Sequence, residues 1–138
     1  SGRLLSNLER VDTRGFAKLG TGLTESSGVY SFPSTGHYLI QFIAFLSNSS
    51  AEERFCKAFI EVTEDNSSFN SANDTRTSLA GSSGQRNGSI HCSHVFDVTN
   101  TTNDKFKVGV DHSDSNTVVH GDSNTNETYI IVTKLAET

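Results

Sequence analysis

Residues 27–42 read SGVYSFPSTGHYLIQF and hold the single proline of the chain. Before Pro33, Tyr30 and Phe32 alternate with small residues; after Gly36 a run begins that is apolar at nearly every position. Proline has no amide hydrogen to give to a strand ladder, so it marks a strand end or an edge. Gly36 then permits the backbone angles of a tight turn. The stretch predicts two neighbouring strands, Gly28–Phe32 and Gly36–Ser47, joined by a short corner that sets Tyr30 and Phe32 beside Tyr38 and Ile40.

Period-two alternation continues on both sides of this stretch, and helical spacing is hard to find. Further strands are expected near Gly15–Leu19, Arg54–Thr63, Ser89–Thr99, Lys105–His112 and Glu127–Leu135, and residues 64–88 read as one long polar connection. With 138 residues the chain suits one domain: a lead-in or linker over residues 1–14 and a β domain over residues 15–138. Twenty Ser, fifteen Thr and eleven Asn make up a third of the chain, a composition that suits strands joined by polar turns. A net charge of −5 with scattered basic residues argues against nucleic acid as a partner. The longest apolar run, Tyr38–Leu46, is far short of the roughly 20 residues of a membrane helix, so no membrane insertion is expected. Cys56 and Cys92 lack zinc-site spacing and read as buried thiols.

The strands differ in how many faces are apolar. Ser89–Thr99 places Ile90, Cys92, His94, Phe96 and Val98 on one side and mostly polar residues on the other, as a half-buried strand should. The strand after Gly36 carries Tyr38, Ile40, Phe42, Ala44 and Leu46 on one face and Leu39, Ile43 and Phe45, with Gln41, on the other. The last strand is similarly apolar on both sides. One face of each satisfies a sandwich core, and the second needs further cover, for which another copy of the chain is the economical source. The expected contact set is Leu39, Ile43, Phe45, Tyr129, Ile130 and Val132.

The quoted stretch resembles the strand-turn-strand signature of the jelly-roll trimers of tumour necrosis factor and complement C1q, through Gly28, Tyr30, Phe32, Gly36 and Tyr38. KFKVGVDH (105–112) is similar to the penultimate strand of that superfamily and ETYIIVTKL (127–135) to the closing one, although the usual Phe-x-Gly-x-Leu of that strand is absent. The resemblance spans Phe16 to Leu135. It implies an all-β fold, a two-sheet antiparallel jelly-roll sandwich of C1q/TNF-like type, assembled as a homotrimer. GFAKLGTGLTESSGVYSFPSTGHYLI and the terminal KLAET also resemble structural domains of tailed phages, which implies a virion fibre, knob or head-decoration domain at the virion surface. The alternative is a secreted lectin-like or signalling trimer of a cellular organism, placed outside the cell.

Other constellations point to less. Asp111, His112, Asp114, His120 and Asp122 put imidazoles and carboxylates near the end of the chain, weak metal candidates without recognised spacing, and no metal or other cofactor is expected. Cys92 lies between His91 and His94, but on a strand His91 points away from it, so no catalytic site is expected. Six Asn-x-Ser/Thr sequons begin at Asn48, Asn66, Asn73, Asn87, Asn100 and Asn126, in a composition that produces such triplets readily. The 64–88 connection, with Phe69, Arg76, Leu79 and Arg86, is expected to form a ligand loop touching a host-surface glycan or protein. The sequence thus predicts a non-enzymatic trimer that presents loops from a rigid base.

Overall fold

A computed structural model of the protein describes residues 3–49, 52–81 and 84–138. Among these the regular structure is entirely β: β1 (Arg3–Leu4), β2 (Thr24–Ser26), β3 (Val29–Ser31), β4 (Gly36–Asn48), β5 (Glu53–Thr63), β6 (Asn70–Leu79), β7 (Arg86–Val98), β8 (Lys105–His112), β9 (Thr117–His120) and β10 (Tyr129–Ala136). The strands form two antiparallel sheets. The six-stranded sheet runs β2-β3-β8-β5-β6, with β1 also paired to β8; the four-stranded sheet runs β10-β4-β7, with β9 also on β4. All-β architecture and an antiparallel two-sheet sandwich are as the alternation predicts.

The core lies between the sheets and is built from one face of each strand. Tyr38, Ile40, Phe42, Ala44 and Leu46 of β4 and Ile90, Cys92, Phe96 and Val98 of β7 meet Cys56, Ala58 and Ile60 of β5 and Phe106, Val108 and Val110 of β8, all buried. Each fully buried aliphatic or aromatic side chain contributes about 1.5 to 3 kcal/mol.

The Pro33 corner differs from expectation. β3 and β4 are not neighbours in one sheet: β3 pairs with β2 and β8, β4 with β7, β9 and β10. Without an amide hydrogen at Pro33 the ladder cannot continue, and residues 33–35 carry the chain from one layer to the other, sheets in such sandwiches being about 10 Å apart. The aromatic residues of the stretch therefore meet across the core. Phe32 lies 4.6 Å from Tyr38, 5.5 Å from Phe106 and 5.7 Å from Phe96, ring centre to ring centre, and Tyr30 stacks on Phe106 at 5.0 Å. Tyr38 secures the corner by donating its hydroxyl to the Ser34 carbonyl at 3.0 Å. Gly36 adopts φ +140°, and a Cβ there would sit 2.5 Å from the Ala136 carbonyl oxygen, so only glycine lets β10 close over the start of β4.

Three further expectations change. Gly15–Leu19 is not a strand; Arg14 and Gly15 form a left-handed turn at φ 57° and 74°, and Leu19 is almost wholly exposed. The 64–88 connection contains the ten-residue strand β6. The lead-in segment takes part in the fold: Arg3 and Leu4 pair with Val110 and Gly109, and Leu5 is buried in the core.

Candidate functional site

The two sheets present opposite chemistry to their surroundings. On the outer face of the six-stranded sheet charged side chains, Lys57 and Glu61 from β5, Asp74 and Arg76 from β6, and Lys105, Lys107 and Asp111 from β8, stand among Phe55 and Phe59, which Arg76 and Lys57 cover. Lys107 pairs with Glu61 at 2.9 Å and lies over the Phe69 ring at 4.4 Å. That is a solvated face. The outer face of the four-stranded sheet carries no Lys or Arg along its paired rows, and its only carboxylate there is Asp97.

Register gives this second face row by row. Val118 lies beside Ser47 and Asn87; then come His120, Phe45 and Ser89, then Tyr129, Ile43 and His91. Below these lie Ile131, Gln41 and Ser93, then Thr133, Leu39 and Val95, and last Ala136, His37 and Asp97. Leu135 stands at the irregularity between Lys134 and Ala136. Val95, Val118, Ile131 and Leu135 are 52%, 51%, 46% and 54% exposed, values usual for lysine but not for four aliphatic side chains around one sheet. Leu39, Ile43, Phe45 and Tyr129 are half-buried between them. His37 Nε2 sits 3.7 Å from Asp97 Oδ1 at the lower end, and Phe45 lies 5.0 Å from the His120 ring at the upper end.

The expected contact set divides on this face. Leu39, Ile43, Phe45 and Tyr129 point outward, whereas Ile130 and Val132 pair with Phe42 and Ile40 and pack on the core. Two residues of β10 are thereby corrected from outer to inner. From Tyr129 to Thr133 pairing places the odd positions of β10 against the odd positions of β4, so the outward apolar residues there are Tyr129 and Ile131, and Leu135 is exposed at the irregularity that follows. Val95 and Val118 were also missed. Val95 is one apolar residue on an otherwise polar strand face, and Val118 lies in a four-residue strand too short to show alternation.

The ligand-loop residues do not gather. Leu79 is buried in the core, Arg76 stands on β6 over the Phe55 ring at 5.6 Å, and Phe69 is covered by Lys107. Arg86 bonds the carbonyls of Gly81 at 2.8 Å and Gly84 at 3.2 Å, holding the β6–β7 connection. Nor do the weak metal candidates converge. Asp114 accepts from Asn116 and Asp122 from Asn124 and Thr125 in local turns, His120 bonds Ser47, and Asp111 and His112 belong to β8. No group of three or more His, Cys, Asp or Glu that could hold a metal occurs among the described residues.

Both cysteines are buried and unpaired, as their spacing predicts. Burial, with Glu53 nearby, pushes the Cys56 thiol up to about 11; burial, with Asp74 nearby, does the same to Cys92. Thiols held so far above neutral pH make poor nucleophiles. Burial also lowers the His94 pKa.

The most elaborate polar arrangement is at Glu53, a carboxylate with no exposed surface. It accepts the amide of Phe55 at 3.0 Å, that of Ser113 at 3.2 Å and that of Asp114 at 2.8 Å, and the hydroxyls of Ser113 and Thr117. Burial alone would raise its pKa, but the hydrogen bonds outweigh burial and bring it down to about 2. Asn48, also fully buried, donates to Thr117 beside it. These bonds fasten the β8–β9 turn to the start of β5.

Comparison of the chain with family models and with curated protein sequences returns no match. The fold defines the class as an antiparallel two-sheet β sandwich, with one outer face rich in charge and the other nearly free of it.

Proposed function

We propose that this protein is a non-enzymatic structural and binding module: a homotrimer of C1q/TNF-like jelly rolls whose subunits meet through the outer face of the four-stranded sheet. The observation that carries the reading is the contrast between the two outer faces. Val95, Val118, Ile131 and Leu135 are exposed around one sheet, with Leu39, Ile43, Phe45 and Tyr129 half-buried among uncharged polar side chains, while the other sheet carries seven Lys, Arg, Asp and Glu side chains along its paired rows. Removing these partly exposed side chains from water is the favourable contribution set against the cost of bringing subunits together. The strand orders β2-β3-β8-β5-β6 and β10-β4-β7 support a jelly-roll reading, since strands adjacent in sequence are repeatedly sent to opposite sheets.

The proposed setting is the surface of a virion, as a tail-fibre, knob or capsid-decoration domain that engages a host-surface ligand; the support for that setting is the resemblance of residues 15–40 and 134–138. The test is to replace Leu39 and Ile131 with lysine, singly and together. Both sit on the outer face, so the fold should persist by circular dichroism while the double variant becomes a single chain in solution. Assembly that survives the double substitution would place the contact elsewhere.

A further inference from the structure

The turn at Arg14 and the connection between β9 and β10 border an open cleft of about 490 Å³, within the size range of small-molecule sites. Two long polar contacts span its walls, from Thr13 Oγ1 to the Ser123 carbonyl at 3.5 Å and from Arg14 Nε to the Asn124 carbonyl at 3.4 Å. Arg14 holds a left-handed backbone at φ 57°, a conformation that costs a non-glycine residue on the order of 1 kcal/mol and recurs at functional sites.

Arg14 is the one charged residue among those that line the cleft. The Phe16 ring on one wall is half exposed, and the terminal nitrogens of Arg14 have no protein partner among the described residues. Asn124, Thr125 and Asn126 complete the lining. An exposed aromatic face offers a stacking surface to the C–H side of a pyranose. Amides and hydroxyls both donate and accept, as sugar hydroxyls require. A guanidinium with free terminal nitrogens recognises a planar carboxylate.

We infer that this cleft is a saccharide-binding site with a preference for a sugar that carries a carboxylate, seated on Phe16 with its acid group at Arg14. The inference deepens the binding half of the proposed function and rests on it, but not on trimer assembly. The experiment is saturation-transfer NMR on the full chain with methyl glucuronide and methyl glucoside, which differ only in the carboxylate, with the mass of each sample read in parallel. Both sugars should receive saturation, the glucuronide binding about tenfold more tightly, which is about 1.4 kcal/mol. Arg14→Gln should abolish the preference and keep the glucoside signal, and Phe16→Ala should weaken both. No transfer to either sugar, equal affinity for the two, or a preference unchanged in Arg14→Gln would overturn the inference. A sample that binds sugar but stays a single chain would count against the assembly reading alone.

Discussion

Glu53 is a fully buried carboxylate held by three backbone amides and two hydroxyls. Its folded pKa of about 2 lies below the ordinary 4.5, so the group adds stability at every pH above about 4.5, and that contribution is lost as pH falls toward 2. The displacement corresponds to about 3 kcal/mol. Acid titration of the folded protein should therefore show a fall in melting temperature between about pH 4.5 and 2 that is blunted in Glu53→Gln. At neutral pH the same variant should lose about 2 to 4 kcal/mol, because a glutamine amide turns a donor toward groups that need an acceptor. Equal acid sensitivity in the two proteins would show that the carboxylate is not the responsible group. Nothing in the sequence announces Glu53: its partners Ser113, Asp114 and Thr117 lie some sixty positions away and become its neighbours only when β8 pairs with β5.

At the scale of elements, β4, β7 and β8 are legible because alternation of large apolar side chains is what a half-buried strand requires. β8 runs over the residues its pattern predicts, 105–112. β6 is illegible for the opposite reason. As an edge strand with the sequence NSANDTRTSL it buries only Leu79 fully and is held by backbone pairing to β5 and by side chains that cap β7. Asn73 Nδ2 donates to the Ser93 carbonyl at 2.9 Å and Thr75 Oγ1 to the His91 carbonyl at 2.8 Å, closing the sandwich on that side. Replacing Asn73 with Ala and Thr75 with Val should cost about 1 kcal/mol per bond and speed hydrogen exchange along β6 more than along β4. Uniform acceleration would mean that the two sheets open together. The facing of β10 was hidden as well: both of its faces are apolar, and only register against β4 separates Ile130 and Val132 from Tyr129 and Ile131.

For the whole molecule, the sequence signals the need for cover on a second face, since Leu39, Ile43 and Phe45 alternate with a complete set of core residues. What it cannot signal is that the other sheet would be wet, because that contrast arises from which strands share a sheet. A single chain would leave Val95, Val118, Ile131 and Leu135 about half exposed around one sheet face, where a neighbouring copy would cover them. The most direct test is the mass of the purified chain by light scattering at micromolar concentration. One chain weighs 14.9 kDa. A species of three times that mass is the predicted result, and a stable species of one chain's mass across that range would contradict it.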